Sequence, residues 1–177
     1  MEVLQGRPTD ETGRLEKEIA VYDLLDKLNI PFRRVDHVHA DTMEMCQEID
    51  QALGQDICKN LFLCNRQKTK FYLLLMPGDK PFKTKDLSAQ IGSSRLSFGG
   101  AEDMDRLLNL TPGSVTVLGL MYDPDCQVTL LIDQDLYQQS AFGCHPCINT
   151  STVQFSTADF REKLLPALGH PVTLVQL

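Results

Sequence analysis

Two apolar runs, Ile57 to Cys64 and Phe71 to Met76, are separated only by the polar turn Asn65 to Thr69. A short polar link between two such runs predicts a β-hairpin. Both runs are almost continuously apolar, so the hairpin is expected to be buried on both faces. The rest of the chain has to supply the covering layers.

The flanking sequence reads as a mixture of helices and strands. Leu15, Ile19, Tyr22, Leu25 and Leu28 recur at helical spacing, which predicts a helix over 14–29 ended by Asn29 and Pro31. Phe32 to Asp36 reads as a strand. Asp41 is the expected cap of a second helix, with Glu44 reaching back, Met45, Ile49 and Leu53 inward and Gly54 at its end. Pro77-Gly78-Asp79 reads as a turn, Asp86 to Ile91 as a short helix, and 93–100 as a polar, glycine-rich loop. A third long helix is expected over 101–109. Strands follow at Ser114 to Met121, Gln127 to Ile132, Thr152 to Phe155 and Val172 to Val175, with a helix opened by Ser156 before the last. Hairpins among these strands make the sheet mixed rather than purely parallel. The fold class is therefore α/β, a compact single domain.

A chain of 177 residues fits one domain, and 42% hydrophobic with 23% charged residues is the balance of a globular protein. No apolar run approaches the roughly 20 residues that span a bilayer. Met1 to Arg14 is polar and lacks the apolar centre of a signal peptide. A cytoplasmic location and no membrane partner are expected. The six cysteines, at 46, 58, 64, 126, 144 and 147, then read as free thiols rather than a disulfide framework.

Charge is unevenly placed. Between Lys59 and Lys85, seven basic residues face one acid, Asp79, which gives +6 and leaves −13 for the rest of a chain whose total is −7. The total argues against indiscriminate nucleic-acid binding, and no DNA partner is expected. The local patch suits one polyanion held at one place. It equally suits edge strands protected by lysines. Charge alone leaves both open.

Chemistry concentrates in two stretches. Gly143-Cys144-His145-Pro146-Cys147-Ile148-Asn149-Thr150-Ser151-Thr152 combines two thiols, an imidazole, an amide and several hydroxyls. Lys59-Asn60 places a cation and an amide at the head of the apolar run Leu61-Phe62-Leu63. A Cys–His pair needs its side chains to meet, and sequence neighbours often point apart. Redox Cys-X-X-Cys pairs open a helix after a strand, and here a strand-like segment follows. Structural zinc sites usually pair two such knuckles, and a second is missing. His37 and His39 have no nearby acid or thiol of known geometry to complete a metal site. No metal and no cofactor are expected. A lysine, an amide, a histidine and a glycine-rich backbone can instead hold an activated ester and a water, with no protein nucleophile.

Four segments then occur in order: Lys59-Asn60-Leu61-Phe62-Leu63, Arg95-Leu96-Ser97-Phe98-Gly99, Thr111-Pro112-Gly113-Ser114-Val115-Thr116, and Gly143 to Thr150. Together they resemble the YbaK-like aminoacyl-tRNA editing domains, in particular the free-standing prolyl-tRNA editing proteins of the ProX/PrdX type. The resemblance covers about 15–177 and leaves 1–14 as a polar N-terminal segment. It implies a strongly curved mixed sheet packed by helices. It also implies hydrolysis of alanine mischarged onto proline tRNA without a covalent intermediate, the terminal ribose 2′-hydroxyl helping to activate water. Lys59 would be the catalytic lysine. Asn60, Gly113, Gly143, His145, Pro146, Asn149 and Thr150 would bound the substrate. Lys80, Lys83, Lys85 and Arg95 would lie near the tRNA. Partners implied are proline tRNA and prolyl-tRNA synthetase. One departure is Val117, where family members often carry proline, which leaves the geometry of that loop open. Other readings are the same chemistry on Cys-tRNA(Pro) or another small aminoacyl group, and a non-catalytic module binding tRNA or synthetase.

Overall fold

The expected hairpin forms. In the computed structural model, which describes residues 1–177, β3 (Lys59–Cys64) and β4 (Phe71–Met76) pair antiparallel with Lys59 opposite Met76. Ahead of them in the chain come β1 (Leu4–Gln5), α1 (Glu16–Lys27), β2 (Arg33–Asp36) and α2 (Met43–Leu53). After them come α3 (Thr84–Ile91), β5 (Ser97–Phe98), α4 (Ala101–Leu108), β6 (Val128–Asp133), β7 (Ala141–Cys144), β8 (Ser151–Ser156) and β9 (Val172–Val175). A helix joins β8 to β9, running as α5 (Thr157–Asp159), a π-helical turn at Phe160–Leu164 and α6 (Leu165–Leu168).

The strands divide into two sheets rather than one. The first is antiparallel in the order β1-β2-β8-β7. The second is mixed, in the order β5-β3-β4-β6-β9, with β4, β6 and β9 parallel. Leu4–Gln5 pairs with Arg33–Arg34, so the polar N-terminal segment is tied to the first sheet.

Alternation along the second sheet fixes its two faces. Phe62, Cys64, Leu73, Leu75, Leu130 and Ile132 face the main core, shared with Phe142, Cys144, Val153 and Phe155 of the first sheet. Leu63, Leu74, Met76 and Leu131 face the opposite way, under Leu87 of α3. All six residues of β4 are buried, whereas Lys59, Asn60 and Leu61 of β3 are half-buried. The polar head of β3 thus breaks the surface while its tail anchors in the core. On the outer face of the first sheet, Val35 packs with Ile49 and Leu53 of α2.

Three sequence expectations change. Ser114 to Met121 is not a strand: Val117–Tyr122 is a 3-10 helix, with the Thr116 hydroxyl accepting the Leu118 amide at 3.3 Å. The Ser114 hydroxyl also donates to the Thr111 carbonyl at 2.8 Å. Such local side-chain bonds compete with strand pairing, and an apolar run alone does not separate the two outcomes. Thr42 rather than Asp41 caps α2, accepting the Met45 amide at 3.2 Å. Asp41 is used elsewhere, accepting from the Asn149 amide at 3.0 Å. Finally, Gly143 and Cys144 belong to β7, so the polar loop after them is confined to 145–150.

Candidate active site

One cavity of about 590 Å³ opens where α2, the head of β3, the 113–115 turn and the end of β7 meet. Cys46, Gln47 and Asp50 of α2 form one wall, and Asp56 to Asn60 another. Gly113, Val115, Cys144 and His145 close it from the opposite side. Four residues singled out from the sequence, Lys59, Asn60, Gly113 and His145, therefore meet although up to 86 positions separate them in the chain.

His145 is half-buried, and its Nδ1 lies 2.8 Å from the Ser151 carbonyl oxygen. A carbonyl only accepts, so Nδ1 carries the proton and Nε2 keeps its lone pair. Burial lowers the pKa of this imidazole from 6.5, with the nearby His37 acting in the same direction and the Ser151 bond opposing it. The ring is accordingly neutral near pH 7. Ser151 is itself held, its hydroxyl donating to Asp36 Oδ1 at 3.0 Å. Burial pushes the Asp36 carboxyl up, but bonds from Arg14, Arg34 and Ser151 outweigh it and hold it at about 2. His37 and Thr152 stand behind the ring: Thr152 Oγ1 is 2.9 Å from His37 Nε2 and 3.5 Å from His145 Nδ1.

Lys59 lines the cavity, and its amine donates to the carbonyl of Lys80, a residue outside the lining. Asn60 is fully engaged within the fold. Its Nδ2 donates to the Cys58 carbonyl at 3.2 Å, and its Oδ1 accepts the Val117 amide at 2.9 Å. Asn60 thus ties β3 to the 3-10 helix behind the 113–115 turn.

Other expected residues are placed elsewhere. Gly143 pairs with Gln154 in the first sheet. Asn149 and Thr150 line a second cavity of about 570 Å³, beside Arg14, Lys17 and His39. Asn149 accepts the Ala40 amide at 3.2 Å and thereby joins the loop to the segment before α2. Pro146 is buried and lines neither cavity. Lys80 is neutralised by Asp133 at 2.8 Å and Asp135 at 2.7 Å. Lys83, Lys85 and Arg95 are exposed.

The lining also holds groups that carry no mark in the sequence, Asp50 and Asp56 above all. Burial pushes the Asp50 carboxyl above its ordinary range, Asp56 adds to this, and the Ile57 amide donating at 2.8 Å opposes it. The two acids follow Gln47 by three and nine positions, a spacing that matches no motif. Asp56 stands three residues before Lys59, and the fold brings Asp50 of α2 to the same cavity.

Three thiols reach the lining, Cys46, Cys58 and Cys144. Burial raises all three, Cys144 to about 12. A thiol nucleophile reacts as the thiolate, so none of them is prepared for that role. Cys144 and Cys147 pack in the main core, and all six cysteines are free. No three His, Cys, Asp or Glu side chains converge as a metal site. What remains is a pocket with a neutral imidazole acceptor, a lysine and two carboxylates.

Residues 37–163 match the family model for the aminoacyl-tRNA editing domain. The chain belongs to that family. Editing an aminoacyl-tRNA is hydrolysis of its ester, so the chain is an aminoacyl-tRNA deacylase. The prolyl-tRNA editing protein ProX of Acetoanaerobium sticklandii is 31% identical over 163 residues, covering 92% of this chain and 99% of that protein. Prolyl-tRNA synthetase associated domain-containing protein 1 of Danio rerio is 28% identical, covering 90% of this chain and 86% of that protein. Among solved structures, a candidate trans-editing enzyme for prolyl tRNA synthetase superposes with a TM-score of 0.65 at 16% identity, over 92% of this chain and 98% of that one. That likeness concerns the fold. No helix is long and apolar enough to cross a membrane.

Proposed function

We propose that this editing domain acts on mischarged proline tRNA in trans and removes alanine from it. The observation that carries the reading is the single cavity that gathers Lys59, Asn60, Gly113 and His145. The names of the relatives, a prolyl-tRNA editing protein and a prolyl-tRNA synthetase associated protein, support proline tRNA as the carrier. Prolyl-tRNA synthetase is the proposed protein partner.

The physical need is a second sieve. A site built for proline rejects a smaller side chain weakly, because the lost apolar contact is worth only about 1–3 kcal/mol. A separate pocket that admits alanine and excludes proline corrects the error. The substrate carries an ammonium, an ester and a phosphate. Asp50 and Asp56 suit the ammonium, and Lys59 suits the phosphate or the oxyanion that forms at the carbonyl. In the proposed reaction, the oxygen of a water adds to the ester carbonyl carbon while His145 Nε2 takes its proton. The bond from carbonyl carbon to ribose oxygen then breaks, and the proton passes to that oxygen.

The test compares deacylation of Ala-tRNA(Pro), Pro-tRNA(Pro) and Cys-tRNA(Pro) with chelator present. Loss of alanine alone supports the reading. Loss of cysteine alone keeps the chemistry and replaces the substrate. Tight tRNA binding without turnover of any of the three sinks the proposal. Lys59→Ala is expected to lose most activity, and wild-type turnover in that variant would remove Lys59 from the site.

A further inference from the structure

Phe98 is 62% exposed on β5, the outer strand of the mixed sheet. It is held there firmly. It pairs with Leu63, and the next amide, of Gly99, donates to the Phe62 carbonyl at 2.9 Å. A Cβ on Gly99 would sit 2.3 Å from the Phe62 ring, so the backbone can lie this close only as glycine. Phe82 packs against Phe98 edge to face, with ring centroids 6.2 Å apart and planes at 71°. The Phe98 ring is therefore held against a second ring while most of its surface stays open to solvent.

Cations flank the pair in the sequence. Lys83 follows Phe82 directly, Lys85 lies two residues further on, and Arg95 precedes Phe98 by three. All three are exposed, and none enters an ion pair of the fold. They stand unpaired on a chain whose net charge is −7. Phe82 is also two residues from Lys80, whose carbonyl accepts from the amine of the cavity residue Lys59. Two extended residues span at most about 7 Å. Phe98 itself lies opposite Leu63, four residues along β3 from Lys59 of the cavity lining, about 13 Å at roughly 3.3 Å per residue.

We infer that Phe98, backed by Phe82, is a stacking platform for an unpaired nucleobase of the tRNA 3′ end, which Lys83, Lys85 and Arg95 hold by its phosphates. The inference rests on tRNA as the substrate. Exposed aromatics beside cations bind single-stranded nucleic acid in this way, because every base offers a flat face. The amino acid is attached to an unpaired 3′ segment, so the bases before it are free to stack on a platform at that distance from the cavity.

The chain has no tryptophan, so Phe98→Trp introduces its only indole. The probe is an acceptor-stem RNA hairpin with a single-stranded CCA end, beside the same hairpin ending blunt. Quenching by the first and not by the second is expected. Phe98→Ala should weaken binding of the CCA hairpin by about 5- to 150-fold, the range of base–aromatic stacking, and Phe98→Tyr should restore it. Hydrolysis of alanyl-adenosine, too short to reach the platform, should be unchanged in Phe98→Ala while hydrolysis of Ala-tRNA(Pro) falls. Equal quenching by both hairpins, no quenching, or quenching only by prolyl-tRNA synthetase overturns the inference. The fluorescence arm decides it even if the wild type hydrolyses none of the three aminoacyl-tRNAs. Turnover of Ala-tRNA(Pro) without quenching leaves the proposed function standing and removes the platform.

Discussion

The backbone amide of Val117 donates to Oδ1 of Asn60 at 2.9 Å. Proline at this position, common in the family, has no such donor. The departure from the family pattern therefore comes with a bond that proline could not make, and that bond fixes Asn60 against the 3-10 helix behind the cavity.

Val117→Pro tests this directly. Thr116 is extended, at φ −155° and ψ 149°, as a residue before proline prefers, and position 117 opens a helix, where proline is accepted. The fold should survive, with the donor lost and the buried Val117 side chain exchanged for a proline ring of similar size. Val117→Pro and Asn60→Ala are each expected to cost about 1 kcal/mol in chemical denaturation, with a coupling of about 0.5 kcal/mol or more in the double variant. Strict additivity would show that the bond contributes nothing.

Gly113 lies at φ +89°, and a Cβ there would approach Asn149 Nδ2 to 3.1 Å. Asn149 cannot retreat freely, since it bonds both Ala40 and Asp41. Gly113→Ala is expected to lose about 1–2 kcal/mol of stability from the left-handed backbone alone, and to lower kcat/KM because the turn lines the cavity. Unchanged denaturation and turnover would mean that this turn tolerates a side chain.

His170 and Asp123 form a buried pair outside the cavity lining, with Nε2 2.9 Å from Oδ2. Asp123 also accepts the Gln127 and Val128 amides and so holds the start of β6. Removing one partner leaves a buried carboxylate short of a donor. His170→Ala should cost about 3 kcal/mol in denaturant while kcat of the folded fraction stays near wild type. A loss below about 1 kcal/mol would contradict the pairing.

The hairpin of β3 and β4 is readable because two apolar runs flank one polar turn, and burial of β4 follows from composition alone. The helices are readable from spacing and from Gly54 and Gly92, which take left-handed ends. The division into two sheets is not, since it depends on β2 pairing with β8 across more than a hundred residues. The candidate site is readable in part for a similar reason. Lys59 and His145 stand out by type, but Asp50 joins them only through the packing of α2, and Asp56, three residues before Lys59, belongs to no motif. Asn149 parts from His145 because the chain reverses at Cys147, which takes φ 63° although it is not glycine. Pro146 marks a turn there in the sequence, but the left-handed position beside it is held by a cysteine, which composition does not reveal.

The remaining prediction concerns pH. Burial lowers the His145 pKa below 6.5, and the Ser151 carbonyl leaves Nε2 as the only acceptor on the ring. Protonation would fill that lone pair, so kcat/KM should be flat near pH 7 and fall on the acid side with an apparent pKa below 6.5. Stability should move the same way. Between the unfolded value near 6.5 and the lower folded value, the unfolded chain binds the additional proton. The contribution of neutral His145 is therefore fully present above pH 6.5 and is lost as pH falls through the folded value. His145→Gln should remove the acid limb of the rate profile and leave a low, pH-independent rate. An acid limb that persists unchanged in that variant would assign the titration to another group and take the proton-accepting role from His145.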